Sequence, residues 1–487
     1  MNQDNSRDAV WREALRTAMS AKERAAIPRV EMPHLSAGYR ITCNEEVNSG
    51  LSAEQAVMES HRCLDCPDPQ CIHGCPVAVD IPGFIKNIER GEFLEAAMVL
   101  KTTSALPAVC GRVCPQEKQC ESRCIYNKMK KAPVAIGYLE RFAADFQRED
   151  AREHPVEVEK PLPNGIKVAV VGSGPAGLSF AGDMAKKGYD VTVFEALHEI
   201  GGVLKYGIPE FRLPNSVVEA EIDGLRALGV NFIKDCVVGK TLSYDDLHSE
   251  GFKGIFVASG AGLPRFMGIP GENFIGIMSS NEYLTRINLM GAGLPGEDTP
   301  VLKGHRVAVI GGGNTAMDSV RTALRQGADE AMIVYRRSEE EMPARVEEVH
   351  HAKEEGVRFL TLHNPVEYLA DEKGRVRAMR LQRMELGEPD ASGRRSPVPV
   401  EGAIEEMPVD LVIVSVGVSP NPLIPNTVGG LEVSRRGTIV VDDSTMQSSL
   451  GDLYAGGDIV RGGATVILAM GDGRRAAASM HQQLSQL

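Results

Sequence analysis

Two glycine-rich turns constrain the fold of this 487-residue chain more than any other feature. The first lies in KVAVVGSGPAGL, where Gly172, Gly174 and Gly177 form G-x-G-x-x-G directly after an apolar strand. The second lies in RVAVIGGGNTAMD, which repeats the pattern with alanine in the last place. Such turns join a strand of a parallel sheet to a helix whose N-terminus binds a dinucleotide pyrophosphate. The sequence therefore predicts an α/β chain with two nested Rossmann-like domains.

An acidic residue completes the first motif. Glu195 ends the next strand, 23 residues after Gly172, where a carboxylate accepts hydrogen bonds from a ribose 2′-OH. A glycine trio alone could be an ordinary turn, but strand, helix and acid together favour a dinucleotide site. The candidate cofactor-binding residues of this unit are Gly172, Gly174, Pro175, Ala176, Gly177, Glu195 and Gly202.

The second motif has arginines where the first has its acid. An arginine fork binds a 2′-phosphate that a carboxylate would repel, so this unit favours NADPH over NADH. Alternatively, the two arginines are solvated or pair with the acidic run at 339–341. The candidate residues are Gly311, Gly313, Asn314, Thr315, Ala316, Arg336 and Arg337.

Two dinucleotide folds in one chain suggest a flavin in one and a nicotinamide in the other. In YAGGD, Asp458 is placed to reach the pyrophosphate–ribityl region of a flavin from a helix N-terminus, although it could equally form a turn. The candidates in this late segment are Gly457, Asp458, Ala464 and Thr465.

Nine of the ten cysteines precede residue 125, and eight form two runs. The runs are CLDCPDPQCIHGC, from Cys63 to Cys75, and CGRVCPQEKQCESRC, from Cys110 to Cys124. A dense run ending in Cys-Pro followed by a second run favours two iron–sulfur clusters. Structural zinc is the alternative, but it usually shows paired C-x₂-C motifs, and only one is present.

Composition limits the compartment and the partners. A net charge of −13 disfavours nucleic acid and anionic membranes. No apolar run approaches the ~18 residues of a membrane span, and the N-terminus lacks the apolar region of a secretory signal. We therefore expect a cytoplasmic protein, in which disulfides are disfavoured.

The sequence pattern along the chain predicts how it divides into domains. Residues 1–150 read as a helical iron–sulfur domain, and the polar stretch at 147–165 reads as a linker. The flavin-binding domain is expected at 164–290 and resumes at 416–487, with the nicotinamide-binding domain inserted at 291–415. A flavin accepts a hydride, and Cys236 is the only cysteine after residue 124, so no disulfide relay can accept its electrons. We expect the clusters to carry them away singly.

Several motifs together resemble one family. CLDCPDPQCIHGCPV, LPAVCGRVCPQEKQCESRC, VAVVGSGPAGL, VIGGGNTAMD, VYRRSEEEMPAR and LYAGGDIVRGGATVILAMGDGRRAA are similar to the NADPH-dependent glutamate synthase small (β) subunit family. The large subunit of the bifurcating NADH-dependent ferredoxin:NADP oxidoreductase shares these motifs. The resemblance implies FAD in the first nucleotide fold, NADPH in the second and two [4Fe–4S] clusters in the helical domain.

The resemblance also implies the cluster ligands. One cluster would take Cys63, Cys66, Cys71 and Cys124, and the other would take Cys75, Cys114, Cys120 and Glu140 in place of a fourth thiol. Cys110 would then be a bystander. Alternatively, Glu140 is an ordinary solvated helix glutamate and the eight thiols divide four and four.

No side-chain acid or base is required for such chemistry, so no catalytic residue is assigned. The expected partner is a protein electron acceptor. It is either the glutamate synthase large subunit or, in the bifurcating alternative, a small flavoprotein working with ferredoxin. No N-terminal cysteine nucleophile or synthase barrel is recognised, so we expect this chain to deliver electrons without making glutamate alone. An alternative of another class is a zinc-stabilised, non-catalytic docking module, and oligomeric assembly is left open.

Overall fold

A computed structural model describes residues 4–154, 158, 160–391 and 393–486. The first part is helical, as predicted. Its helices are α1 (Val10–Ala18), α2 (Ala21–Arg24), α3 (Ala37–Arg40), α4 (Ala53–Ser60), α5 (Gln70–His73), α6 (Ile81–Glu89), α7 (Phe93–Lys101), α8 (Pro107–Val113), α9 (Ile125–Lys128) and α10 (Ile136–Glu153). Short 3-10 turns at Gln116–Lys118 and Glu121–Arg123 separate the later cysteines. Helix α10 extends into the expected linker, of which residues 155–157 and 159 lie outside the described residues.

The first nucleotide fold is a five-stranded parallel sheet. Its strands are β1 (Lys167–Val171), β2 (Asp190–Phe194), β3 (Asn231–Ile233), β4 (Phe252–Val257) and β15 (Leu453–Ala455), in the order β15-β4-β1-β2-β3. The strands β1, β2 and β4 are buried apart from exposed residues near their starts, as expected for a sheet covered by helices on both faces. Strand β15 arrives about 200 residues after β4, so a second domain is inserted, as predicted.

The inserted fold is a second parallel sheet in the order β6-β13-β7-β8-β9. Its strands are β6 (Ile277–Ser279), β7 (Arg306–Ile310), β8 (Glu330–Tyr335), β9 (Arg358–Thr361) and β13 (Leu411–Val414). Because β6 pairs with β13, the second fold already includes residue 277, and the boundary predicted at 291 is too late. The chain passes between the two nucleotide folds twice, and these two connecting segments lie side by side, because β5 (Leu263–Pro264) pairs with β14 (Val418–Ser419).

Three antiparallel strands cover one side of the inserted fold. They are β10 (His363–Ala370), β11 (Val376–Pro389) and β12 (Arg395–Pro408), and the last two form a long hairpin. The remaining helices are α11 (Pro175–Ala185), α12 (Val203–Tyr206), α13 (Asn215–Ala227), α14 (Tyr244–Ser249), α15 (Ser280–Leu284), α16 (Asn314–Arg325), α17 (Val346–Glu354), α18 (Leu423–Thr427), α19 (Asp458–Arg461) and α20 (Val466–Leu484). A π-helical turn, Thr285–Leu289, follows α15, and a 3-10 turn, Glu339–Glu341, precedes α17. Among the described helices, none has the length and apolar character needed to cross a membrane.

The helical domain and the first nucleotide fold share one apolar core. Buried side chains of α6, α7, α8 and α10 belong to the same cluster as those of β1, α11 and α20. Helix α11 packs closely along α20, where a Cβ on Gly473 would lie 2.3 Å from the Ala176 backbone oxygen. The cysteine-bearing helices are therefore packed directly against the domain that carries the first glycine motif.

Candidate functional site: a shared cavity beside two cysteine groups

A cavity of about 1850 Å³ opens where the strands of the first sheet end, and it extends to the second nucleotide fold. This volume exceeds the 300–1,000 Å³ of ordinary small-molecule pockets, as a site for a dinucleotide and a second nucleotide would require. Twelve of the predicted cofactor residues line it. They are Gly172, Gly174, Pro175, Ala176, Glu195, Gly202, Asn314, Thr315, Gly457, Asp458, Ala464 and Thr465.

The first glycine loop has the close backbone approach that the motif predicts. A Cβ on Gly172, whose φ is +103°, would lie 2.5 Å from the backbone oxygen of Ala258. A Cβ on Gly177 would lie 2.0 Å from the backbone oxygen of Gly172, so helix and strand can pack only with glycine there. Nothing lies within 4 Å of the Cβ position of Gly174, which leaves its backbone open to a ligand. These features fit a bound pyrophosphate.

Glu195 also shapes this loop. Its Oε2 accepts hydrogen bonds from the Ser173 amide (2.9 Å) and the Ser173 hydroxyl, and its Oε1 accepts one from the Leu197 amide (2.9 Å). The Ser173 Oγ in turn accepts from the Gly201 amide at 2.9 Å. Glu195 therefore ties the glycine loop to the segment after β2, a role that the motif alone does not indicate.

Asp472 is a residue of the site that sequence reasoning missed. It lies fully buried in α20 and accepts hydrogen bonds from the Gly457 amide (3.0 Å) and from Arg461 Nε (2.7 Å). These bonds hold the turn that presents Asp458 to the cavity. Burial raises the pKa of the Asp458 carboxyl, while a hydrogen bond from the Ala464 backbone lowers it. The only sequence signal for Asp472 was its place in the quoted GDGRRAA segment.

The second glycine loop is connected to the cysteine domain. Asn314 Oδ1 accepts from the Arg345 amide at 2.8 Å, so this side chain braces the start of α16. The Arg345 guanidinium is buried; it donates to the Arg112 backbone oxygen and, at 3.0 Å, to Gln116 Oε1. Arg112 lies between two of the cysteines. The predicted residues Gly311, Gly313 and Ala316 are not among the described residues that line the cavity.

A buried ion pair joins the two nucleotide folds. Arg212 of the first fold donates to Asp318 Oδ2 of α16 at 2.7 Å, and both residues line the cavity. Burial raises the pKa of Asp318 to about 6, although Arg212 opposes this. The network continues through Arg321 to Glu355, which also binds Arg40 of the helical domain. Sequence reasoning missed it because its members are far apart along the chain.

The two arginines after β8 differ in their surroundings. Arg337 is buried; its Nη2 pairs with Asp390 (2.5 Å) and its Nε donates to the Arg395 backbone oxygen (2.8 Å). Arg336 is exposed, and no ion pair of the described residues involves it. Neither arginine lines the cavity. The geometry therefore does not favour a two-arginine fork, and Arg336 is the better candidate for a 2′-phosphate.

Eight of the cysteines fall into two groups, according to which thiols influence one another electrostatically. The first, termed the outer group, is Cys63, Cys66, Cys71 and Cys124. The pKa of the Cys71 thiol is raised, first by burial and then by the charges of the other three sulfurs. Burial also raises the pKa of Cys63, to about 11. Such mutually repelling, desolvated thiols require a cation to ionise together, which fits an iron–sulfur cluster.

The second, termed the inner group, is Cys75, Cys110, Cys114 and Cys120 with Glu140. Burial raises the pKa of Cys75 to about 11, and the charges of Glu140 and Cys110 add to this. Glu140 lies on α10 and is 9% exposed. None of the hydrogen bonds or ion pairs of the described residues ends on it. Burial, and secondarily Glu221, raise its pKa to about 8. Glu140 is thus not an ordinary solvated helix glutamate, and its carboxylate suits a metal ligand.

Cys110 also lies within the inner group, which therefore holds four thiols and one carboxylate. Its Sγ is 3.5 Å from the Met470 Sδ of α20. Within the described chain, no three ligating side chains converge as closely as a single metal ion would require. A zinc ion lies ~2.3 Å from each of its thiolate sulfurs, so the sulfurs converge on one point. The sulfurs that bind a four-iron cluster lie further apart, because the cluster stands between them.

The inner group lies next to the cavity. Val113, one residue before Cys114, lines the cavity together with Ala469 of α20. A Cβ on Gly471 would lie 3.0 Å from the backbone oxygen of Pro76, which follows Cys75. One helix therefore contacts both the cavity and the inner group.

Comparisons with known proteins agree with this arrangement. Residues 40–152 match the family described as dihydropyrimidine dehydrogenase domain II, 4Fe-4S cluster, and residues 166–473 match the pyridine nucleotide-disulphide oxidoreductase family. The small chain of NADPH glutamate synthase from Azospirillum brasilense is 37% identical over 442 residues, which cover 90% of each chain. The chain belongs to the glutamate synthase small-chain family. It is an oxidoreductase with a 4Fe–4S domain, which overturns the zinc-stabilised docking module.

Other relatives are larger proteins. The NADP(+)-dependent formate dehydrogenase subunit beta of Moorella thermoacetica is 40% identical over 438 residues, and the match covers 85% of this chain but 60% of that one. Among solved structures, Mycobacterium tuberculosis FprA in complex with NADPH has a TM-score of 0.56 at 22% identity, covering 66% of this chain and 85% of FprA. This likeness shows that the two nucleotide folds are shared.

Proposed function

We propose that this chain transfers electrons from NADPH, through FAD and two [4Fe–4S] clusters, to a protein partner. The observation that carries the proposal is the single cavity that both nucleotide folds line and that α20 connects to the inner cysteine group. When bound, NADPH supplies a hydride, FAD converts an electron pair into single electrons, and the clusters conduct them.

The residues of the chain position these groups. Glu195 and Ser173 set the shape of the first glycine loop, and Asp472 sets the turn that presents Asp458. In the second fold, the exposed Arg336 is proposed to bind the 2′-phosphate. The proposed ligands are the outer group for one cluster and Cys75, Cys114, Cys120 and Glu140 for the other.

The partner is proposed from the relatives. The similarity to the glutamate synthase small chain, over 90% of its length, supports a glutamate synthase large chain as the electron acceptor. A formate dehydrogenase catalytic subunit is the second candidate, because the Moorella protein of that name is 40% identical. The bifurcating arrangement with a small flavoprotein stays a prediction. Co-purification from the native host distinguishes these partners.

A cysteine substitution tests the electron path. Cys75→Ser should retain NADPH-dependent ferricyanide reduction, which requires only the flavin, and should lose electron transfer between NADPH and a plant-type ferredoxin. Cys43→Ser is the matched control, because Cys43 lies outside both groups. If Cys75→Ser abolishes flavin reduction as well, the clusters and the flavin are not separable stages.

A further inference from the structure

We propose that an exposed cationic surface beside the outer cysteine group docks an acidic one-electron carrier protein. This surface, termed the cationic rim, consists of Arg123, Lys128 and Lys130 with Met129 between the lysines. The inference rests on the proposed function, because it requires electrons to pass through the outer cluster.

The outer group is the one that a carrier can approach. All four of its cysteines are partly exposed, whereas the inner group has one partly exposed cysteine, Cys75, and three that are 0%, 5% and 8% exposed, Cys110, Cys114 and Cys120. The inner group also lies against α20 and the cavity. Electron transfer depends on close approach, so a protein carrier should dock over the outer group.

The rim lies close to Cys124 along the chain. Arg123 precedes this cysteine directly, and its Cγ would lie 3.0 Å from a Cβ on Gly74, in the loop between Cys71 and Cys75. Lys128 ends α9, four residues after Cys124. The rim therefore borders both chain segments that supply the outer group.

The positive charge of the rim is not neutralised locally. Among the described residues, no ion pair involves Arg123, Lys128 or Lys130. Two acids of the cysteine segments are engaged elsewhere: Asp65 is buried against Arg12 and Arg16, and Glu121 is buried against Arg29. Asp68 is the exposed acid of the first run, and it lies 3.8 Å from His73.

The rest of the chain makes this surface selective. With a net charge of −13, the molecule repels an acidic protein over most of its surface and attracts it at the rim. Met129 is 41% exposed at the centre and offers apolar contact, as interface cores do.

Charge reversal tests the docking surface. The probe is a plant-type ferredoxin, an acidic [2Fe–2S] protein, reduced beforehand under anaerobic conditions. Two reduced ferredoxins and one proton convert NADP⁺ to NADPH, which is followed at 340 nm. The triple variant Arg123→Glu/Lys128→Glu/Lys130→Glu should raise the KM for ferredoxin about 10-fold or more at ~20 mM salt, and the difference should shrink at ~500 mM.

A matched control separates local from net charge. Lys253→Glu/Arg435→Glu/Arg436→Glu makes the same change of charge at exposed positions of the first nucleotide fold and should keep the KM within about 2-fold. Equal effects of both triple variants, or none in the rim variant, would overturn the proposal. So would tighter binding of the rim to a labelled DNA duplex than to ferredoxin.

NADPH-dependent ferricyanide reduction and iron content should remain unchanged in both triple variants. If the unaltered protein passes no electrons between NADPH and its clusters, the proposed function itself fails. If the unaltered protein does pass electrons, but the rim variant has the same KM for ferredoxin as the control variant, only the docking surface is wrong.

Discussion

Replacing Arg336 with glutamine should raise the KM for NADPH about 10- to 100-fold and leave the KM for NADH nearly unchanged. Arg336 is exposed after β8 and is not engaged in an ion pair among the described residues, so its guanidinium is available to a 2′-phosphate. A charge-assisted hydrogen bond contributes about 1.5–3 kcal/mol, which corresponds to this range. NADH lacks the phosphate and should lose nothing.

Arg337 provides the contrast. Because it is buried and pairs with Asp390 of the long hairpin, Arg337→Gln should lower Tm and change both KM values to a similar extent. Steady-state ferricyanide reduction with each nucleotide measures the two KM values, and thermal unfolding measures the Tm of each variant. A selective loss of NADPH in Arg337→Gln but not in Arg336→Gln would refute the assignment. An equal loss of both nucleotides in Arg336→Gln would refute it as well.

Three further outcomes are expected. Cys110→Ala should keep about eight iron atoms per chain, as two four-iron clusters require. Glu140→Ala should alter or abolish the EPR signal of one cluster. The reverse pattern would show that the eight thiols divide four and four between the clusters. Asp472→Asn should weaken FAD binding about 10-fold or more, because the Gly457 turn loses a charged acceptor; unchanged FAD retention on dialysis would contradict this. Burial raises the pKa of Glu355, but nearby arginines lower it to about 2. Its contribution to the free energy of unfolding, about 3 kcal/mol, should therefore be present above pH ~4.5 and disappear as the pH falls toward ~2. Glu355→Gln should lower the Tm at pH 7 and make the Tm fall less steeply in acid.

The architecture was largely predictable because its signals are local. Each glycine motif, apolar strand and following helix is contiguous, and the cysteine runs are dense. The boundary at 291 was wrong because β6 is only three residues long and joins the second sheet by pairing with β13, about 130 residues later. Such a short strand carries no periodicity of its own.

The site was less predictable where contacts between residues distant in sequence determine its geometry. The hairpin that buries Arg337 supplies Asp390 from 53 residues away, so adjacent arginines looked equivalent in the sequence. Asp472 and the Arg212–Asp318 pair were missed for the same reason: their partners come from other elements. Glu140 was named only through the family resemblance, since a glutamate on a helix has no distinctive local pattern.

Freeze-quench EPR of the anaerobic protein mixed with one equivalent of NADPH tests the central claim most directly. The flavin absorbance should bleach, and signals of reduced [4Fe–4S] clusters should then develop in the same sample. The signal of one cluster should be altered in Glu140→Ala. If the flavin is reduced and the clusters stay oxidised at every delay, while dithionite reduces them, electrons do not pass from the cavity to the cysteine domain and the account is wrong.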